Sequence, residues 1–381
     1  MDATLVPIAG IIATTLMLLT TSLNLLLLRP PRNAQFSSSS LPILDVLIPA
    51  RNEALTIGRC VKSFLNQDYP NLNITILNDD STDDTQAILE EIASHDPRVT
   101  IIAGDSLPSG WTGKNWACHQ LALSAQGDLL LFSDADTWFS KSSISRWVRV
   151  HIFTKADLTT LMPGRQAAAP LQSLVIGFIN WFVLALLPLQ IAYRTRTPFL
   201  SMTFGQFMLF SKDAYKRIGG YQSIRGFTTD DVSLRSKIKS HGLKWRLFDG
   251  SKDVSCDMYL NNHDLIYGVG RSIFPVFGYK IIYLVWGIAS LFIVGLLPLI
   301  TLLFDSLSNS DENYYPQQAV IMILSIGTTW YLSQRQFHQP QWVTLCYPIA
   351  IALIILVGVH SVITMYHGRS QWKGRVLEKP K

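Results

Sequence analysis

Apolar stretches alternate with mixed segments along this chain, and the pattern divides it into two kinds of structure. Several stretches carry almost no charge, and some reach the roughly 20 apolar residues that a helix needs to cross a hydrocarbon core of about 30 Å. Elsewhere, short apolar runs alternate with amphipathic segments, as in a water-facing domain. We therefore predict a membrane protein with one soluble domain.

The first apolar stretch, residues 4–28, predicts an N-terminal transmembrane helix. It lacks the basic start and the small-residue cleavage site of a secretory signal, so we interpret it as a retained anchor. Arg29 and Arg32 follow directly, and basic residues are typical of the cytoplasmic flank of a span. Residues 273–365 predict a C-terminal membrane region with about three hydrophobic helices, followed by a basic tail at 366–381.

The segment 167–193 is apolar and contains no formally charged residue, so its length alone would permit a span. Acidic motifs lie on both sides of it in the sequence. If those motifs share one site, they must lie on the same side of the bilayer. We therefore predict an interfacial or re-entrant helix here.

Between these apolar stretches, strand patterns alternate with helix patterns. The segments "ILDVLIPA", "NITILNDD" and "DLLLFSDAD" each predict a buried strand, and amphipathic helices lie between them. This βαβ alternation is typical of an α/β fold with a mostly parallel sheet, in which the chemistry lies at the carboxyl ends of the strands. We assign this domain to residues 41–271.

Composition narrows the class of protein further. Hydrophobic residues make up 48% and charged residues 15%, whereas an ordinary soluble domain has roughly 25% charged residues. These values exclude a disordered chain and a wholly soluble one. The formal net charge of +5 is mild and dispersed, so we predict no nucleic-acid partner.

Acidic residues lie at the ends of two predicted strands. Asp79 is placed to accept hydrogen bonds from a nucleotide base or ribose. Asp134 and Asp136 are two residues apart on an extended chain and therefore point to the same side. Such carboxylates repel each other unless a divalent cation lies between them and a diphosphate, and Mg²⁺ and Mn²⁺ prefer oxygen ligands. The sequence thus predicts a Mg²⁺ or Mn²⁺ site.

A third acidic pair, Asp230 and Asp231, precedes an amphipathic helix. One interpretation is that either residue caps this helix. The functional alternative is a general base that deprotonates an acceptor hydroxyl during sugar transfer.

These motifs together resemble a known family. "LIPARNEALTI", "NDDSTDDT", "DADT" and the later Asp-Asp pair occur in the order found in inverting family 2 glycosyltransferases with the GT-A fold, and the resemblance covers about residues 45–271. "LPSGWTGKNWAC", "GQFMLFSKDAYKRIGGY" and "WKGR" are similar to membrane-bound enzymes that act on lipids. These are in particular carotenoid glycosyltransferases and, more distantly, ceramide and hopanoid-associated ones. No Gln-x-x-Arg-Trp motif follows the Asp-Asp pair, which argues against a processive polysaccharide synthase.

The resemblance implies roles for individual residues. Asp134 and Asp136 match the family's metal and diphosphate motif, with Asp136 as the direct ligand. Asp231 matches the catalytic base, and Asp230 takes the place of the family's glutamate. Arg271 stands where lysine is common. The residues implied to bind the nucleotide-sugar donor are Pro49, Asn52, Glu53, Asp79, Lys114, Asp134 and Arg271.

The resulting hypothesis is an inverting transfer of a sugar from a UDP- or GDP-sugar to the hydroxyl of a membrane lipid, in first place a hydroxylated carotenoid. The catalytic domain would face the cytoplasm. Alternative acceptors are ceramide, a hopanoid, diacylglycerol and polyprenyl phosphate. A membrane scaffold that has lost catalysis is a third alternative.

Overall fold

The computed structural model describes residues 5–31, 41–257, 259, 261–307, 316–366, 371–372 and 375–376. These residues form two compact units. The helical unit consists of the described residues of Met1–Leu27, Ala167–Gln190 and Tyr259–His367, and the sheet unit consists of those of Leu28–Gln166, Ile191–Met258 and Gly368–Lys381.

Eight strands of the sheet unit form one sheet, and a short hairpin follows near the C-terminus. The strands are β1 (Leu44–Ala50), β2 (Leu72–Asn78), β3 (Val99–Ala103), β4 (Leu129–Phe132), β5 (Thr137–Phe139), β6 (Leu158–Arg165), β7 (Met208–Ser211), β8 (Trp245–Cys256), β9 (Gln371–Trp372) and β10 (Arg375–Val376).

Helices occur in both units. They are α1 (Leu5–Leu27), α2 (Ile57–Leu65), α3 (Thr85–His95), α4 (Gly113–Ser124), α5 (Ser143–Thr154), α6 (Pro170–Leu186), α7 (Leu189–Ala192), α8 (Lys212–Arg217), α9 (Asp230–Ser240), α10 (Asn262–Val276), α11 (Ile281–Leu291), α12 (Leu297–Leu307), α13 (Pro316–Gln336), α14 (Trp342–Leu345) and α15 (Tyr347–Tyr366).

The large sheet has the strand order β3-β2-β1-β4-β7-β6-β8-β5. Strand β1 pairs in parallel with both β2 and β4, and β2 pairs in parallel with β3. Antiparallel pairing joins β7 to both of its neighbours and β5 to β8. Because β1, β2 and β4 run in the same direction, their carboxyl ends meet at one edge of the sheet. This confirms the predicted α/β class and places the acidic strand ends together.

The hydrophobic pattern explains why these segments form the core of the sheet unit. Strand β4 is a continuous apolar run, and β1 is one apart from Asp45. Both strands are buried along almost their whole length, as expected for strands covered on both faces. Helix α2 buries Ile57, Cys60, Val61 and Phe64, which recur at helical spacing and form one apolar face. The core therefore lies between the sheet and its helices, and the polar strand ends remain at the edge.

Within the part of the chain that the structure describes, the helical unit contains three helical segments that are long and apolar enough to cross a membrane. They are Ile8–Leu27, Ile281–Phe304 and Tyr347–Tyr366, and the second of them includes a π-helical turn at Phe292–Leu296. Helix α13 has 21 residues but does not reach the same hydropathy. Most of the predicted basic tail, 366–381, lies outside the described residues.

The units differ from the predicted domain limits in two places. Helix α6, inside the predicted domain 41–271, belongs to the helical unit, because its apolar side chains are buried there on nearly every side. Its Trp181 stacks on Trp330 of α13, with ring centroids 5.0 Å apart. Helix α10 runs through the predicted boundary at 271 and also belongs to the helical unit. Whether α6 is interfacial or re-entrant stays a prediction.

Asn24 of α1 is a buried polar residue that holds the C-terminal end of α6. Its side-chain amide donates to the carbonyl oxygens of Val183, Leu184 and Leu187, at 3.4, 2.9 and 2.7 Å. The last carbonyls of a helix have no partner within the helix, and burying them unpaired costs free energy. One amide from a neighbouring helix therefore satisfies the end of α6.

We expect Asn24→Leu to lower the free energy of unfolding by about 1–2 kcal/mol, because the carbonyls at the end of α6 lose their hydrogen-bond donor. Thermal unfolding in detergent micelles measures the change. Ser22→Ala is the matched control, because Ser22 is exposed and donates only within α1, to Leu18 O at 2.9 Å. Equal melting temperatures for the Asn24 variant and the wild type would contradict this account.

Candidate active site

The ends of β1 and β2 are joined by a network of backbone contacts. Asp79 N donates to Ala50 O at 2.8 Å, and the Arg51 guanidinium donates to Asp79 O. Asn52 has a positive φ of 52°, which turns the chain sharply after β1. Its side-chain oxygen accepts a hydrogen bond from Thr82 N at 2.8 Å. The two strand ends therefore form one preorganised surface.

The remaining residues predicted for the nucleotide pocket lie on this surface. Pro49 is in β1 opposite Leu77 of β2, and Asp79 is 6% exposed at the end of β2. Glu53 N donates to Thr85 Oγ1 at 2.8 Å, which ties the loop after β1 to the start of α3. Pro49, Asn52, Glu53 and Asp79 thus belong to one region of the sheet edge.

A lysine connects the other two acidic motifs. The ammonium of Lys114, in the first turn of α4, lies 2.7 Å from Asp134 Oδ1 and 3.3 Å from Asp230 Oδ2. Burial lowers the pKa of Lys114, but these two carboxylates outweigh it, and the net shift is well upward. Lys114 therefore stays charged and balances two acids that come from distant parts of the chain.

Gly205 and Tyr221 complete this network. A Cβ atom at Gly205 would lie 3.2 Å from Asp134 Oδ2 and 3.3 Å from Lys114 Nζ, so a larger residue would crowd the ion pair. The hydroxyl of the fully buried Tyr221 donates to Asp230 Oδ2 at 3.1 Å. Asp230 is thus held from two sides.

Asp136 lies two residues beyond Asp134, and its carboxylate has an unusual proton affinity. Burial raises its pKa to about 7, and the negative charges of Asp134 and Glu53 add to the effect. The Thr137 hydroxyl donates to Asp136 Oδ1 at 3.3 Å. A positive ion beside Asp136 would relieve this repulsion.

Asp231 begins the first turn of α9 together with Asp230. Burial raises its pKa to about 7, and the adjacent Asp230 carboxylate contributes in the same direction. Lys114 and Arg235 oppose the shift, and Asp231 Oδ1 accepts a hydrogen bond from Val232 N at 2.7 Å. A carboxylate with a pKa near the working pH suits general-base chemistry, whereas its neighbour Asp230 is fixed by Lys114 and Tyr221.

The carboxylates near Asp134 can be compared with the ligands that a divalent cation requires. Among the residues that the structure describes, no group of three or more His, Cys, Asp or Glu side chains could hold a metal ion. Asp134 and Asp136 offer two carboxylates. Mg²⁺ is commonly held by one or two carboxylates, with substrate phosphates and water as its other ligands. The pair therefore fits an ion that is bound jointly with a diphosphate.

The structure brings together most of the residues singled out in the sequence. The sheet unit contains Pro49, Asn52, Glu53, Asp79, Lys114, Asp134, Asp136, Asp230 and Asp231, whereas Arg271 lies on α10 in the helical unit. The role of Arg271 stays a prediction. Sequence reasoning missed Tyr221, although it stands in a segment that carried the resemblance, "KRIGGY". Its contact with Asp230 depends on the folded chain, so no local spacing indicated it.

Comparisons with known proteins agree with this architecture. The family model described as glycosyl transferase family 2 matches residues 45–219. The 4,4'-diaponeurosporenoate glycosyltransferases of Staphylococcus aureus strains USA300 and MRSA252 are each 24% identical to this chain over 345 residues, covering 87% of both chains. The solved structure of mannosyltransferase PcManGT from Pyrobaculum calidifontis, in complex with GDP-Man and Mn²⁺, is similar with a TM-score of 0.53 and 18% identity. That match covers 92% of this chain and 99% of the other.

These findings confirm two predictions. The structural likeness confirms the GT-A fold with flanking apolar helices. The family match and the sequence relatives confirm a glycosyltransferase of the carotenoid-glycosyltransferase-like kind.

Proposed function

Given that this chain is a glycosyltransferase with a family 2 domain at residues 45–219, we propose that it transfers a sugar, with inversion, from a nucleotide-sugar donor to a membrane lipid. The proposed donor is a UDP- or GDP-sugar, and the proposed acceptor is in first place a hydroxylated carotenoid. The similarity to the Staphylococcus aureus enzymes favours a carotenoid-type acceptor over ceramide, hopanoids, diacylglycerol or polyprenyl phosphate.

One observation carries the proposal. The ammonium of Lys114 contacts both Asp134 and Asp230, although these carboxylates are far apart in the sequence. A diphosphate motif and an acid-base pair therefore lie within one network. Transfer from a nucleotide sugar needs both functions within reach of one carbon, because the leaving group departs from the same carbon that the acceptor attacks.

The donor would bind along the sheet edge. Asp79, at the end of β2, would accept hydrogen bonds from the base or ribose, and Pro49, Asn52 and Glu53 would line the same pocket. Asp134 and Asp136 would hold a divalent cation, which supplies positive charge for the diphosphate when it is bound. Lys114 would add a fixed ammonium as negative charge develops on the leaving diphosphate.

Asp231 would act as the base. Its carboxylate would take the proton from the acceptor hydroxyl while that oxygen attacks the anomeric carbon. The bond between this carbon and the diphosphate oxygen breaks in the same step, so the configuration inverts. Asp230 would stay fixed by Lys114 and Tyr221 and keep the proton affinity of Asp231 high.

The apolar helices support a membrane location for the reaction. Three of them have the length and hydropathy of spans, and a lipid acceptor cannot leave the bilayer without a large hydrophobic cost. Arg29, which follows α1, supports a cytoplasmic position of the catalytic unit, where nucleotide sugars would reach it.

A donor panel tests the proposal. The purified full-length chain, in detergent with Mn²⁺, is incubated with UDP- and GDP-sugars and a membrane lipid extract, and the products are identified by mass spectrometry. The extract is supplemented with a hydroxylated carotenoid and a carboxylated one, because the -oate in the name of the relatives denotes a carboxylate. We expect a carotenoid glycoside. A product on another lipid would select one of the alternative acceptors, and the lack of any glycolipid with all donors would contradict the proposal.

A further inference from the structure

Asn115 follows Lys114 in the first turn of α4, and its side chain is almost completely buried, with 1% of the residue exposed. Its amide nitrogen lies 2.9 Å from Ile224 O, 3.3 Å from Arg225 O and 2.9 Å from Phe227 O. One side chain thus binds three backbone carbonyls of a loop that is more than 100 residues away in the sequence.

This loop leads directly into the acidic pair. It follows the short 3₁₀ helix Tyr221–Ile224, and three residues after Phe227 the chain reaches Asp230 at the start of α9. Two further backbone contacts define its shape. Phe227 N donates to Ile224 O at 2.9 Å, which closes a turn, and Thr112 N donates to Arg225 O at 2.9 Å.

The start of α4 therefore holds the segment 221–231 by two routes. Lys114 contacts Asp230 directly, and Asn115 fixes the backbone that precedes it. At the other end of the segment, Tyr221 donates to Asp230 through its hydroxyl. Each link restrains rotation of the first turn of α9, on which Asp231 lies.

We propose that Asn115 is a positioning residue, whose amide sets the loop at Ile224–Phe227 and thereby the place of the Asp231 carboxylate relative to the sugar donor. The inference rests on the proposed role of Asp231 as the base. Asn115 would touch neither substrate nor metal ion.

The positioning role of Asn115 should be detectable in the pKa of Asp231, which depends on nearby charged groups. They are Asp230 and Arg235 on α9 itself and Lys114 on α4. Burial and the carboxylate of Asp230 keep the pKa of Asp231 near 7 as long as the first turn of α9 stays in place. Release of the loop would expose the partly buried Asp231 further to water, and its pKa would fall towards the value of an ordinary aspartate.

The test compares Asn115→Ala, which has no side-chain hydrogen-bond donor, with Asn115→Ser, which has a single hydroxyl donor. In the assay with a UDP- or GDP-sugar and the lipid extract, we expect kcat to fall by about 10²-fold in the alanine variant, because small misplacements of a reacting group have effects of this size. The kcat of the serine variant should lie between those of the wild type and the alanine variant. In the alanine variant, the affinity for the nucleotide should change by less than about threefold. When kcat is measured against pH, the fall of kcat on the acid side should move to lower pH. Gln120→Ala is the control, since this amide, also on α4, has its hydrogen-bond partners outside the segment 221–231: it donates to Trp116 O and accepts from Asp105 N.

Hydrogen exchange of the peptide 221–231 gives a readout that does not depend on activity. We expect faster exchange in Asn115→Ala and unchanged exchange in Gln120→Ala. Two results would overturn the inference. One is a folded Asn115 variant with wild-type kcat and an unchanged pH at which kcat falls on the acid side. The other is a variant that loses kcat and thermal stability in parallel while that pH stays unchanged. A wild-type protein that transfers no sugar would instead contradict the proposed function, and the exchange data would still report whether Asn115 holds the loop.

Discussion

Asp231→Asn will lower sugar transfer to a small residual rate and leave binding of the nucleotide sugar almost intact. The amide has the size of the carboxylate but cannot accept the acceptor's proton, so we expect a loss of about 10²–10⁴-fold in kcat. The residues proposed to bind the donor, Asp79 and Asp134 among them, remain unchanged. Single-turnover transfer and titration with the donor measure the two properties separately.

The matched control is Asp213→Asn. Asp213 also lies in the first turn of a helix, α8, but it is exposed to solvent. This variant should keep wild-type activity. Full activity in the Asp231 variant would refute its assignment as the base.

The pH dependence of the wild-type enzyme should report the same carboxylate. A base must be ionised to act, and burial together with Asp230 raises the pKa of Asp231 to about 7. Below that pH the rate, at saturating metal, should fall about tenfold per pH unit as the carboxyl becomes protonated, and above it the rate should level off. The residual activity of Asp231→Asn should not show this fall of the rate at low pH. An identical fall in both proteins would show that another group is responsible.

Asp136→Ala will weaken metal-dependent binding of the nucleotide sugar by at least about tenfold. Asp134 is already paired with Lys114 at 2.7 Å, so Asp136 is the carboxylate of the pair with more capacity left for a cation. Its pKa, raised by burial, Asp134 and Glu53, shows that negative charge there is poorly compensated in the metal-free protein. A bound cation would offset this charge. The alanine variant lacks the carboxylate and therefore loses this favourable interaction with the cation.

Calorimetric titration of the donor with and without Mn²⁺ measures this effect. Without metal, the wild type and the variant should bind the donor with similar affinity. Asp68→Ala, which removes an exposed carboxylate from the loop before β2, serves as the control and should retain the full effect of Mn²⁺. An unchanged Mn²⁺-dependent affinity in the Asp136 variant would argue against a metal role.

Much of the site was predictable from local pattern. Asp79 and the Asp134–Asp136 pair directly follow buried apolar strands, and the parallel pairing of β1 with β2 and β4 brings such strand ends to one edge. Periodicity of apolar residues determines which segments become strands, and the direction of parallel strands then determines where their ends meet.

Other features depended on contacts between distant residues. Lys114 and Asp230 are separated by 116 positions, and only the folded chain shows that one ammonium lies between Asp230 and Asp134. The different environments of Asp230 and Asp231 likewise follow from Tyr221 and Lys114, not from their adjacent places in the sequence. Burial and long-range charge pairing set these properties, and neither is contained in a motif.

The amino-acid sequence by itself determined the α/β domain, the apolar helices and the acidic strand ends, because periodicity and hydropathy are local properties of the chain. The tertiary structure alone decided that α6 and α10 belong with the apolar helices, that Lys114 joins two acidic motifs, and that Asn115 holds the loop before Asp231. Such pairings arise because a buried amide or ammonium must find partners wherever the fold brings them, whatever their distance along the chain.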